Sequence, residues 1–317
     1  MAAADCLVTG AAGFIGSHLA RRLARDGARV RALDDLSTGR AANEQALREA
    51  GVQVVAGDVR DADAVARAAA GVEVVYHLAA LGSVPRSVAE PRLTHAVNVG
   101  GTLEVLLAAR DAGCRRVVFA SSSSVYGDDP IQPRREDRAP APMSPYAAQK
   151  LAGEGYCRAF NESYGLQAVA LRFFNVFGPG QDPEATYAAC IPLFVRAALR
   201  GEPATVYGDG EQTRDFTYVD NVVESCLAAG RVADAAGGVF NVGGGERVTL
   251  LALLAMIADA VGGEVPAPVH QPARAGDVRH SQADVTRARA TLGALPWIDL
   301  PEGLARTVAW HRSELSG

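Results

Sequence analysis

Apolar and polar positions in the first half of the chain follow two rhythms. Runs at Cys6–Thr9, 29–34, 53–57, 74–78, 116–121 and 167–172 are short, nearly continuous in apolar character and rich in β-branched residues. That is the pattern of strands buried on both faces of a sheet. Between them, Ala/Leu/Arg stretches of helical period cover 16–26, 62–70, 96–112 and Pro145–Tyr164. Strands separated by helices imply right-handed βαβ units. The predicted fold is α/β, a Rossmann-type doubly wound parallel sheet.

Beyond residue 172 the rhythm breaks. Gly178-Pro179-Gly180-Gln181-Asp182-Pro183 reads as a loop. A helix at 191–200, a strand at Thr205–Tyr207, a Gly208-Asp209-Gly210 turn, a strand at 238–242 and a helix at 249–261 follow. The expected division is a cofactor domain over 1–176 with a return segment 216–243. A smaller α/β lobe is expected over 177–215 and 244–317. The stretch between Pro133 and Pro145 is Pro/Arg-rich and reads as a loop.

Composition narrows the function class. Among 317 residues, 49% are hydrophobic and 21% charged, which argues against disorder. A net charge of −5 offers no basic surplus for a phosphate backbone, so nucleic acid is not the expected partner. Five scattered cysteines form neither a metal pattern nor a disulfide framework, and the six histidines share no ligand spacing. No metal, no membrane span and a cytoplasmic location are expected.

The strand ending at Thr9 runs into Gly10-Ala11-Ala12-Gly13-Phe14-Ile15-Gly16, and a helix opens after it. A tight strand-to-helix turn needs a residue tolerant of positive φ, and close approach of backbone to a pyrophosphate forbids a Cβ. The helix N-terminus adds free N–H groups and positive partial charge. Asp34 follows 18 residues after Gly16, at the end of the next strand, where it can accept from an adenine-ribose diol. Asp34-Asp35 would repel a 2′-phosphate, and no Arg or Lys follows until Arg40, so NAD is preferred over NADP.

Tyr146 and Lys150 stand at i and i+4 on one helix face. A phenol with pKa near ~10 is a poor base at neutral pH, and a neighbouring ammonium, helped by a cationic nicotinamide ring, is expected to bring it down.

The G-x-x-G-x-x-G spacing, the Tyr-x-x-x-Lys pair and the Ser121–Ser124 run that closes a strand before Val125-Tyr126-Gly127 resemble the extended short-chain dehydrogenase/reductase family. The resemblance implies a catalytic triad of Ser122, Tyr146 and Lys150. It implies cofactor contacts from Gly10, Gly13, Phe14, Ile15, Gly16 and Asp34, from Asp58, Val59, Leu78, Ala79, Ala80 and Asn98, and from Phe173 beside Tyr146 and Lys150.

Nearly the whole chain is similar to the UDP-hexose 4-epimerases of that family, through Ser144-Pro145-Tyr146, Arg172-Phe173-Phe174-Asn175 and Arg214-Asp215-Phe216. Related dehydratases and decarboxylases carry carboxylates at the positions of Ser123 and Ser124. Without them, NAD-dependent C4 epimerisation through a transient 4-keto sugar is the implied activity. Implied substrate contacts are Ser83, Ser122, Ser123, Tyr146, Asn175, Tyr207, Arg214, Arg274, Asp277 and Ser281. A serine at 281, where hexose-restricted epimerases have a tyrosine, leaves room for an N-acetyl group. UDP-GlcNAc/UDP-GalNAc is therefore the expected pair, with UDP-Glc/UDP-Gal also open.

Gly180, where many relatives have an arginine, weighs against the alternative of a UDP-glucuronate 4-epimerase, although Arg86 could substitute. A nucleotide-sugar dehydrogenase or reductase and a non-catalytic NAD or sugar-nucleotide sensor are the rival functions. The helices 96–112 and 147–164 resemble the family's dimer interface, which implies a homodimer.

Overall fold

The computed structural model describes residues 6–184, 188–273 and 278–316. Six strands follow the expected order: β1 (Cys6–Thr9), β2 (Val30–Asp34), β3 (Gln53–Ala56), β4 (Val74–His77), β5 (Arg116–Ser122) and β6 (Gln167–Phe173). A return strand, Val239–Val242, pairs with β6. The sheet runs return strand–β6–β5–β4–β1–β2–β3, and every pairing is parallel. Strand order reverses between β1 and β4. Two connections therefore leave in opposite directions there and open a crevice at the carboxyl ends of both strands.

Successive side chains of each strand serve opposite faces. Val8, Tyr76 and Val118 join Leu19, Leu23, Val222 and Leu227 in one apolar layer. Leu7, Val75 and Val117 join Val65, Leu106 and Phe160 in the other. A third cluster, with Phe177, Phe194, Val206, Leu253 and Leu304, gathers the helices Cys190–Arg200, Leu250–Val261 and Leu300–Ser316. Among the described residues no helix is long and apolar enough to cross a membrane.

The helix expected over 96–112 is broken into parts. An α-helix at Pro91–His95 widens into a π-turn at Ala96–Gly101 and continues as α-helix at Thr102–Asp111. Side-chain bonding accompanies the change: Thr102 Oγ1 donates to the Asn98 carbonyl at 2.7 Å. The helices Ala41–Glu49, Val84–Ala89, Val219–Arg231 and Leu300–Ser316 lie where no helix was expected.

A chain of buried hydrogen bonds crosses the crevice behind the sheet. The Ala79 N–H donates to Thr9 Oγ1 at 3.3 Å, and Thr9 Oγ1 meets His77 Nδ1 at 2.7 Å. His77 Nε2 meets Thr102 Oγ1 at 2.9 Å. Thr102 has already given its only hydroxyl proton to Asn98, so Nε2–H must donate to Thr102 and Nδ1 must accept from Thr9. His77 is thereby fixed as one neutral tautomer. Burial, with the Lys150 ammonium nearby, pushes its pKa down to about 3.

Below pH 6.5 an unfolded histidine takes up a proton that the folded His77 refuses, so the stability tied to neutral His77 falls as pH drops from 6.5 toward 3. His77→Gln should cost about 1–3 kcal/mol at pH 7, because it leaves buried hydroxyls without partners. Its stability gap to the parent should narrow between pH 7 and pH 5 in urea titrations. A constant gap would contradict the assignment.

Candidate active site

One cavity of about 400 Å³ lies at the carboxyl ends of β1 and β4. Every residue expected to hold the cofactor lines it, with the exception of Asn98. Gly10 follows β1 with φ +68°, and a Cβ on it would lie 2.6 Å from the Ala79 nitrogen. A Cβ on Gly16 would lie 2.1 Å from the Gly10 carbonyl. Both positions therefore require glycine, one for its backbone angle and close approach, the other for the packing of helix on strand. Gly13 is the N-cap of the helix Phe14–Arg25, and it lines the cavity together with Phe14, Ile15 and Gly16 of the first turn, whose N–H groups have no partner within the helix.

At the far end, Asp34 accepts from the Ala12 N–H at 2.8 Å through Oδ2 and from the Leu36 N–H at 2.8 Å through Oδ1. Burial raises its pKa, and the two backbone bonds pull it back. Asp35, Ser37 and Thr38 complete this wall, and among the described residues no arginine or lysine lines the cavity except Lys150. Arg40 turns away toward the Gly180 carbonyl and Glu314. Asp58 is engaged by Arg60, which holds its carboxyl below the usual range.

Asn98 acts from behind. Its Oδ1 accepts from Leu81 N at 2.8 Å, and its Nδ2 donates to the Leu81 carbonyl at 3.2 Å and to Gln149 Oε1 at 2.8 Å. It ties the cavity wall to the helix Pro145–Tyr164. The glycine cradle and the diol-facing acid, with no described cation beside that acid, together fit a dinucleotide without a 2′-phosphate.

Ser144 caps the helix Pro145–Tyr164 by accepting from Ala147 N, and Pro145 occupies its first turn. Tyr146 is thus held at a helix N-terminus, where positive partial charge favours a phenolate. Ser122, at the end of β5, lines the same cavity wall as Tyr146. Lys150 Nζ donates to the Ala120 carbonyl at 2.7 Å and sits 5.9 Å from the Tyr146 ring centroid. Burial lowers its pKa to about 8. Burial raises the pKa of the phenol, and Ser122 opposes the rise; the lowering expected from the sequence draws on Lys150 together with a bound nicotinamide ring.

Beneath the pair lies a group of residues that sequence reasoning missed. Glu154, one turn beyond Lys150, accepts from Arg172 Nε at 2.9 Å and Nη2 at 2.7 Å, and from Ser121 Oγ at 2.5 Å. The Arg172 guanidinium also stacks 4.6 Å from the Tyr126 ring centroid. The spacing of Tyr146, Lys150 and Glu154 at successive i+4 positions was the available signal.

A second cavity of about 460 Å³ joins the first at Phe14, Ile15, Tyr146 and Phe173. Ser122, Ser123, Asn175, Arg214 and Ser281 line it. A third, of about 250 Å³, shares Asn175 and Arg214 and adds Tyr207, Cys190 and Phe216. Asn175 Nδ2 donates to the Asp215 carbonyl at 2.8 Å. Asp215 in turn accepts from the N–H groups of Gly244, Gly245 and Ala283, although burial lifts its pKa to about 6.

Ser83 is not brought to these walls: its hydroxyl caps the helix Val84–Ala89 by accepting from Arg86 N. Arg86 pairs with Glu90 and lines none of the three cavities. Arg274 and Asp277 lie outside the described residues. Among the described residues, no group of three or more His, Cys, Asp or Glu side chains could hold a metal ion.

A family profile described as "NAD dependent epimerase/dehydratase family" matches residues 6–243. A UDP-glucose 4-epimerase of Mycolicibacterium smegmatis is 45% identical over 311 residues, 97% of this chain and 98% of that protein. Among solved structures, a UDP-N-acetylglucosamine 4-epimerase from Methanobrevibacter ruminantium M1, in complex with UDP-N-acetylmuramic acid, superposes with a TM-score of 0.94. It is 39% identical, with 99% of this chain and 100% of that one covered. A Thermus thermophilus UDP-glucose 4-epimerase in complex with NAD gives a TM-score of 0.87 at 37% identity, with 97% and 99% covered.

Gly10→Ala tests the cradle. Backbone strain at positive φ should cost about 1–3 kcal/mol, and the new methyl must displace Ala79. The purified variant should release little or no NAD on denaturation, measured by chromatography, where the parent releases NAD. Equal NAD content would refute the role given to this contact.

Proposed function

The chain belongs to the NAD-dependent epimerase/dehydratase family and is an NAD-dependent UDP-sugar 4-epimerase, and from that premise we propose which sugar it takes and which residues act. The proposed substrates are UDP-GlcNAc and UDP-GalNAc, with UDP-Glc and UDP-Gal also admitted. The observation that carries this is Ser281, a small side chain on the wall of the cavity that Tyr146 and Ser122 share.

NAD⁺, when bound, supplies a hydride acceptor for the sugar C4 and a positive charge. Tyr146 removes the C4 hydroxyl proton, directly or through Ser122, as the C4–H bond breaks and C4=O forms. The positive charge of Lys150 and the helix N-terminus favour the phenolate that this requires. After the 4-keto sugar turns its other face, C4 would take its hydride back from the cofactor on that face as Tyr146 returns the proton to the oxygen. C4 is inverted and nothing is oxidised overall.

Asn175, Tyr207 and Arg214, in the adjoining cavity, hold the nucleotide diphosphate while the sugar turns. A guanidinium fork suits paired phosphate oxygens. Ser123 and Ser124 offer hydroxyls where elimination would need carboxylates, which supports epimerisation over dehydration. A homodimer through the segments 96–112 and 147–164 belongs to the same reading. Sedimentation at the monomer mass would refute it.

Proton NMR of the protein with UDP-GlcNAc should show the C4 epimer without added NAD⁺. Tyr146→Phe should slow interconversion by about 10²–10⁴-fold, the usual contribution of a positioned acid–base group. Ser281→Tyr should lower kcat/KM for UDP-GlcNAc relative to UDP-glucose by about tenfold or more, since it fills the space an acetamide needs. If UDP-GlcNAc stays inert while UDP-glucose is epimerised, the role given to Ser281 is wrong.

A further inference from the structure

A groove of about 540 Å³ lies apart from the three cavities of the active site. It is bounded by the helix Phe14–Arg25, the start of the helix Ala41–Glu49 and Trp310 of the helix Leu300–Ser316. Four arginines line it against three carboxylates, and the carboxylates are engaged. Glu224 takes Arg22, and Glu314 lies 4.0 Å from Arg40. Asp220 stands between His18 at 3.8 Å and Arg306 at 3.9 Å. His18 adds no charge at neutral pH, since burial lowers its pKa and Nε2–H donates to the Pro179 carbonyl at 2.8 Å.

Arg21 and Arg25 are left over. Among the described residues neither has an ion pair, and the one hydrogen bond of Arg21 runs from Nε to the Ser17 carbonyl at 3.2 Å. Its Nη1 and Nη2 have no acceptor there, yet protein does not enclose them, so they open on the groove. The two residues stand at i and i+4 and share one helix face. Burial of Arg21, with Arg25 beside it, lowers the Arg21 pKa, and Asp220 opposes this only at a distance. Like charges at this spacing weaken a helix, and an anion bound between them offsets that.

The rest of the lining suits an organic group. Trp310, Pro296 and Ile298 offer an apolar surface in the same groove, and an indole accepts a planar ring in offset contact. The groove also adjoins both functional cavities. Asn43 Nδ2 and the Arg40 N–H donate to the Ala12 carbonyl at 2.9 Å and 3.1 Å, in the turn that carries Gly10 and Gly13. His18 holds Pro179, and Gln181 of the same loop lines the sugar cavity.

We propose that this groove is a second ligand site, outside the catalytic one, for a phosphorylated small molecule with a planar ring, a nucleotide in the simplest case. Arg21 and Arg25 hold its phosphates, and Trp310 receives its ring. A guanidinium fork matches paired phosphate oxygens, and two forks on one helix face match a diphosphate. A ligand there touches residues bonded to the cofactor turn and to the loop of the sugar wall. The site does not depend on which sugar is epimerised.

Trp297 and Trp310 are the two tryptophans of the chain, so Trp297→Phe leaves Trp310 as a reporter inside the groove. In that background the NAD-loaded protein is titrated with inorganic pyrophosphate and with ADP. Fluorescence is the first readout, and calorimetry registers binding that leaves it unchanged. Both ligands should bind saturably, ADP more tightly. Arg21→Gln and Arg25→Gln should each raise Kd by about tenfold or more, the loss of a charged hydrogen bond. Arg67→Gln removes the same charge from an exposed position on the helix Ala62–Ala69, outside the groove, and should leave Kd unchanged.

Absence of saturable binding by both methods, binding that survives Arg21→Gln and Arg25→Gln, or equal weakening by Arg67→Gln would each overturn the site. ADP binding no tighter than pyrophosphate would overturn the place given to the ring at Trp310. Arg25 is exposed, so Arg25→Gln decides the matter if Arg21→Gln does not fold.

Discussion

The backbone of Gly10 passes so close to Ala79 that no side chain fits between them, and the rest of the site is arranged around that contact. It joins the ends of β1 and β4, the two strands between which sheet order reverses. Held apart by even a methyl group, they would leave a wider crevice whose opposing backbones could not both reach one diphosphate. The buried chain from Ala79 through Thr9, His77 and Thr102 to Asn98 keeps the contact in place. Each hydroxyl in it gives its single proton in a fixed direction. The arrangement works only with neutral histidine, so packing and protonation state support each other.

Charge beneath the reacting groups is handled in two ways. Glu154 receives Arg172, Ser121 and the field of Lys150, so its carboxylate is fully engaged in a dry environment. Removing one partner of such a pair strands the other, at a cost of roughly 3–5 kcal/mol. This network anchors β5, β6 and the helix that presents Tyr146 and Lys150, and it fixes their separation. Lys150 itself is held by the Ala120 carbonyl, with no described carboxylate bonded to it. Its proton is correspondingly loose, which suits a group whose charge must be felt by a phenol.

Local regularity made much of this legible in the sequence. Strands buried on both faces announce themselves as apolar runs, and glycine spacing at a strand end states what the turn must do. The residues expected around the dinucleotide line one cavity because they lie within a few positions of strand ends, where topology alone places them together. Asn98, expected among the cofactor contacts, acts through Leu81 and Gln149 and does not line the cavity. Ser83 shows the opposite limit. A serine before a proline-containing helix start is as good a cap as a ligand, and the cap prevailed. The burial of Arg134, in a Pro/Arg-rich stretch that reads as loop, comes from pairing with residues almost 150 positions later, which no local pattern reports.

Epimerisation places opposite demands on the two ends of its substrate. The nucleotide must stay fixed while the sugar turns over, so contacts to the sugar have to hold in two orientations. Hydroxyl-lined walls such as Ser122, Ser123 and Ser281 meet this requirement because a rotating O–H can donate or accept to either face. A rigid network like the one around Glu154 could not do this, because each of its bonds is fixed to one partner in one direction.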